Sequence, residues 1–378
     1  GWFFTGEGDY PGILNLAGSD PNEILAALKG ETNPKHDFST VMEEQDLIDL
    51  SLFISQKMFD ASEIVDANGK PVNGDAAAGE TTFQVCAACH GPQGLAINFH
   101  HDEQEPPEYI PTIAQEDPGE FLSKAHWGQP GHPEMPAGDS LGFTTQDYAN
   151  LLAYLQQFPT SSPLTEGGQM YDNWWKTAVV DEPQGEMPLW ANADMSKAEN
   201  EDEVPAGADT WRCSTCHGWN YKGEFGFPGI WDAQNKSADE ILAALTGQTN
   251  PDHDFSQFLD ADRLNALVTF IQQGQIDKSQ YINADDTVNG DAEHGQQMFS
   301  AVCTRCHGTD GTEINFHEGT DEPPEYVGTV ASGEIWEFFN KASFGQPGEA
   351  MPAGLNMGWT WQDIADLAAY AQTLPTSK

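Results

Sequence analysis

The chain has 378 residues, enough for two to four domains of ordinary size. Sixty acidic residues face fifteen basic ones, a formal charge of −45, and a field of that sign repels phosphate backbones and excludes nucleic-acid binding. Hydrophobic residues make up 38 % and aromatics 11 %, too apolar for a disordered acidic tail, while no apolar run reaches the length of a membrane span. A soluble globular chain is expected. It shows no secretory signal and no initiating Met, as a mature, trimmed or fragmentary chain would.

The sequence repeats itself at an offset of 217 or 216 residues. Glu23-Ile-Leu-Ala-Ala-Leu28 recurs from Glu240, and Thr32-Asn-Pro-Lys-His36-Asp-Phe-Ser39 recurs from Thr249. Ile97-Asn-Phe-His100 returns at Ile314, and Pro106-Pro-Glu-Tyr109 at Pro323. Each half holds two consecutive repeats, giving A (1–65), B (66–163), C (164–280) and D (281–378). In B, a short helix carries Gly79 and Phe83 four apart on one face. Asp117-Pro-Gly-Glu120 opens a helix that stops near Gly128, and Thr144 opens a last one through Leu151, Leu152, Tyr154 and Leu155, closed by Pro159. Repeat C offers a Gly167/Tyr171 helix, a capping box at Ser237-Ala-Asp-Glu240 and a final helix through Leu267 and Phe270. Repeat D offers Gly295 and Phe299, then helices over 332–345 and 360–374.

All six cysteines fall in one pattern used three times: Cys86-Ala-Ala-Cys89-His90, Cys213-Ser-Thr-Cys216-His217 and Cys303-Thr-Arg-Cys306-His307. C-x-x-C-H is the attachment motif of c-type haem, in which two thiols become thioethers and the adjoining His supplies an axial nitrogen. A disulfide scaffold needs cysteines scattered over the fold, and a tetrahedral zinc site is poorly served by a His directly after Cys. Three haem c groups are therefore expected.

Gly-x-x-x-aromatic, C-x-x-C-H-G, a downstream Met-Pro-Ala-Gly and a closing amphipathic helix resemble class I cytochrome c. The resemblance implies a mainly α fold of four tandem small helical cytochrome c-like domains with long loops. It implies that first and last helices cross with the Gly beside an aromatic, and that the haem is clasped with one edge exposed. It also places distal ligands at Met135, seven after Gly128, and at Met351, six after Gly345. Repeat C has no Met there; His253 stands six after Gly247, in the context that surrounds His36 in A, and both are assigned as distal ligands. Met187 and Met195 precede their haem motif and are the rivals.

Other features read more plainly. His100 and His317, beside Pro-Pro loops, have surface roles or a propionate bond; His101, His126, His132 and His294 face solvent. Asp66, Asn68, Asp75, Asp285 and Asp286 serve caps and turns rather than calcium. Residues 193–207, within a long insertion before Cys213, form a solvated connector, and Trp174, Trp175 and Trp190 pack. Arg212 and Arg305, scarce cations beside haem motifs, pair with propionates. Subtracting 217 from Gly218 gives Gly1, so a fourth haem motif is expected just upstream.

The function expected is single-electron relay by a multihaem c-type cytochrome outside the cytoplasm, periplasmic or extracellular, with bis-His ligation in C and His/Met in B and D. It works as a shuttle or in an extracellular filament, with redox proteins, basic ones included, or further copies of itself as partners. No enzymatic activity is expected; the alternative is a haem enzyme of peroxidase or sulfur-compound oxidase type with one open haem site.

Overall fold

The computed structural model describes residues 1–132, 135–197, 204–320 and 322–378. The chain divides into two compact units, one of 1–83 with 110–158, the other of 84–109 with 159–378. The fold is mainly helical; among the described residues one short hairpin pairs Gly6–Glu7 with Tyr10–Pro11. No described helix is long and apolar enough to cross a membrane.

In the first unit, Asp20 caps the helix Pro21–Leu28 by accepting from Asn22 N, and Pro21 fits the first turn, where no N–H is needed. That helix and Glu44–Gln56 close on Ile24, Leu28, Leu47 and Ile54. Asp66 Oδ1 accepts from the backbone N–H of Asn68 and Lys70, and Asp75 Oδ1 from that of Ala77, the turn and cap roles read from the sequence. The start of the helix Ala76–His90 meets Thr145–Leu155 at Gly79. A Cβ there would lie 2.0 Å from Asn150 O, and the Phe83 ring stands 5.7 Å from Tyr154. Pro118–Trp127, capped by Asp117 and ended at Gly128, and the capping box at Thr144 agree with the sequence reading. His126 does not. It is 8 % exposed, stacks on Tyr148 at 3.6 Å and on Phe59 at 4.2 Å, and its Nδ1 is 2.8 Å from Asp139.

The second unit repeats the crossing twice. Pro163–Thr177 meets Ala261–Gln273 at Gly167, where a Cβ would lie 2.1 Å from Ala266 O, and Tyr171 packs 5.0 Å from Phe270. Ala292–Met298 meets Trp361–Ala371 at Gly295, where a Cβ would lie 1.9 Å from Asp366 O. Trp174, Trp175 and Trp190 are buried and pack, as expected. The helix expected over 332–345 is present as Ile335–Phe344, and a further helix that the sequence reading did not name, Val327–Gly333, precedes it. Glu334 leaves helical geometry (φ −125°, ψ 51°) between them. Of the expected connector 193–207, residues 198–203 lie outside the described residues; Met195–Lys197 before them is a single exposed 3-10 turn.

Candidate haem-binding sites

Around the middle motif, the short helix Cys213–His217 ends at Gly218 (φ 74°), whose carbonyl accepts from Tyr171 OH at 2.6 Å. His217 Nδ1 lies 2.7 Å from Pro228 O. Opposite, Asn250 caps the turn Pro251–His253 by accepting from Asp252 N, and Phe255 N donates to Leu245 O at 2.9 Å. This loop brings His253 Nδ1 to 3.0 Å from Ala244 O. A carbonyl accepts only, so each Nδ1 carries a proton, and in the neutral tautomer so selected Nε2 is the nitrogen with a lone pair. The two rings stand 6.1 Å apart, centroid to centroid. Two metal–nitrogen bonds of about 2 Å each, added to the ring radii, fill such a gap.

The electrostatics suit a covalently held group with a neutral imidazole. Burial, against the opposing bond to Pro228 O and with a smaller push from His253, lowers His217 to about 4, so the ring is uncharged at neutral pH, as a metal ligand must be. Burial pushes the Cys213 and Cys216 thiols up to about 12, and Cys303 likewise. Cys86 is raised to about 11, by burial and by Cys89 beside it. Thiols raised by burial are uncharged at neutral pH, as sulfur is in a thioether.

The first and third motifs match each other. His90 and His307 each have a buried Nδ1 without a hydrogen-bond partner, and each ring faces a Phe: Phe99 at 5.9 Å and Phe316 at 5.8 Å. Burial, then the charge of Arg305, hold His90 at about 4; burial lowers His307. The third motif begins in a π turn, Phe299–Cys303, before the helical turn Thr304–His307. Gly128 (φ 81°) and Gly345 (φ 89°) make the same tight turn, a Cβ lying 2.9 Å from Met135 O in one and 2.8 Å from Met351 O in the other. Met135 belongs to the first unit; His90, His307 and Met351 belong to the second.

Repeat A copies the His253 loop. Asn33 caps Pro34–His36, Phe38 N donates to Leu28 O at 2.9 Å, and His36 stands 4.7 Å from Phe38, against 5.0 Å for His253 and Phe255. Met187 is buried in the core beside Trp174, and Met195 is exposed.

Several side chains depart from the expected roles. Arg212 does not reach outward for a propionate; its Nη2 bonds Asp172 Oδ1, and Nε donates to Asp172 O at 2.9 Å. Asp172, 1 % exposed, also accepts from Lys341 Nζ at 2.9 Å, so a buried carboxylate outcompetes solvent for both cations. Arg305 lies with Nη1 against Cys89 Sγ. His100 Nδ1 is 2.9 Å from Pro106 O and His317 Nδ1 is 2.7 Å from Pro323 O, which gives them loop-fastening roles. His294 is half-exposed and held 2.8 Å from Asp366 rather than facing solvent freely. Sequence reading missed Asp172 and Lys278. The available signal for the first was a single acid inside the aromatic run from Met170 to Trp175.

Residues 76–159 and 292–375 match the family model described as cytochrome c. Two solved structures are similar. Reduced recombinant cytochrome c4 from Pseudomonas stutzeri is 20 % identical, with 53 % of this chain and 98 % of that one covered and a TM-score of 0.17. Thiosulfate dehydrogenase (TsdBA) from Marichromatium purpuratum is 17 % identical, with 94 % and 82 % covered and a TM-score of 0.19. At these values neither carries a site or a substrate to this chain. The second does correct the expectation that enzymatic activity is absent: a protein similar over most of this chain is described as a dehydrogenase, so the likeness does not separate carriers from enzymes.

Proposed function

We infer, for a chain whose segments 76–159 and 292–375 are cytochrome c domains, a multihaem relay that passes single electrons outside the cytoplasm. Haem c, when bound, supplies a one-electron iron couple. Cys86/Cys89, Cys213/Cys216 and Cys303/Cys306 would fasten it, with His90, His217 and His307 as the adjoining nitrogen ligands. The observation that carries this reading is the His217–His253 pair, two imidazoles with Nδ1 tied to backbone carbonyls, 6.1 Å apart, the first directly after Cys216. Ligands held in place by the fold would limit rearrangement when the charge changes.

By sequence position alone, Met135 and Met351 are the distal ligands read for the outer motifs, and a thioether ligand would make those sites more oxidising than a bis-His one. His36 holds in its copied loop the place that His253 holds in repeat C. The location is periplasmic or extracellular, with redox proteins or further copies as partners. Electron microscopy of native material separates a shuttle from a filament.

His253→Ala tests the reading. One haem is expected to turn from low-spin to high-spin and to bind cyanide, with the others unchanged. Unaltered spin states would overturn the assignment. A resting high-spin haem in the unsubstituted protein would instead mark an open site for catalysis.

A further inference from the structure

The first haem motif and the third are 217 residues apart in sequence, yet within the second unit two segments of repeat D bind the stretch around the first. From the loop after Met351, Ala353 N donates to Ala96 O at 3.1 Å and Asn356 Nδ2 to Leu95 O at 2.6 Å. Gly91 (φ 73°) lets that loop come close: a Cβ there would lie 2.3 Å from Asn356 O. From the third motif itself, Arg305 crosses to Cys89, the cysteine directly before His90. Arg305 is exposed, and among the described residues no carboxylate pairs with it. Its charge is therefore not cancelled locally, unlike that of Arg212, which Asp172 neutralises.

We propose that Arg305, though part of the third motif, is a positioning residue for the first: its guanidinium lies at the Cys89 sulfur and sets the reduction potential of the haem fastened there. A fixed positive charge favours the reduced form, which carries one positive charge fewer, and Coulomb energy falls with distance, so the site at Cys86/Cys89 feels it most. An Arg keeps that charge at every working pH. The chain thus carries, inside one attachment sequence, the group that tunes a neighbouring site.

This rests on haem occupying both motifs. The test is a redox titration of the holoprotein, with haem-methyl NMR resonances following each site separately. Arg305→Gln is expected to lower the midpoint potential of the first-motif haem more than any other, and Arg305→Lys to restore most of it. Arg305 is exposed, and unchanged far-UV circular dichroism would confirm that the variant folds. An unmoved first-motif haem, a larger shift at the third motif, or an equal shift at all sites would overturn the proposal while leaving the relay intact. Protein without haem at these motifs would overturn both.

Discussion

Lys278 is a lysine sealed from water, 1 % exposed, with Nζ donating to Trp219 O at 2.9 Å and to Trp336 O at 3.3 Å. It lies 4.8 Å over the Tyr221 ring, and among the described residues no carboxylate pairs with it. Burial alone pushes its ammonium down to about 7. Unfolded, the group titrates at its ordinary value near 10.4, so between these two pH values the unfolded chain binds more protons and stability rises with pH. Below the folded value the full cost of a charged, unpaired amine is present. Lys278→Met should therefore melt higher than the parent near pH 6, with the difference fading as pH approaches 10. A difference constant across that range would mean that packing, not charge, is what the substitution changes. Asp172 shows the contrary case. Arg212 and Lys341 hold its carboxyl below the usual range despite complete burial, because two charge-assisted partners outweigh desolvation.

At the scale of elements, one device recurs. Gly79, Gly167 and Gly295 each put a helix backbone against the carbonyl of a partner helix, closer than any side chain allows. Gly167→Ala and Gly295→Ala should each cost at least ~2 kcal/mol, since the helices must separate or the contact strain. Gly333, the last residue of Val327–Gly333, has nothing near its Cβ position, and Gly333→Ala should be neutral or stabilising by less than ~1 kcal/mol. Denaturant melts of the three variants check this; equal losses at all three would refute the crossing argument. The crossings were legible because a glycine four residues before an aromatic is a local pattern. The helix Val327–Gly333 was not. It is seven residues long and follows Tyr326 rather than a Ser, Thr, Asp or Asn cap, and burial of Val327, Val330 and Ala331 holds it.

For the whole molecule the governing quantity is a charge of −45. Of the few cations, Lys278 is buried, while Lys341 and Arg212 are mostly buried and turned to Asp172, so the surface is more one-sided than composition suggests. Like charges at that density repel the compact state, and the Debye length shrinks from about 30 Å at 0.01 M salt to about 3 Å at 1 M. The melting temperature should therefore climb between those concentrations, and a flat or falling trend would show that paired charges dominate instead.

The sequence by itself determined the haem motifs, the helical repeats with their caps, and the candidacy of His253, because each is written in residue identity and spacing over a few turns of chain. Only the tertiary structure decided that His217 and His253 face each other with tied Nδ1 atoms. It alone gave Arg212 to Asp172, brought Arg305 to Cys89 and sealed Lys278. The reason is physical: these depend on which distant segments share a low-dielectric interior, and separations of 36 to 216 residues leave no periodic trace in the chain.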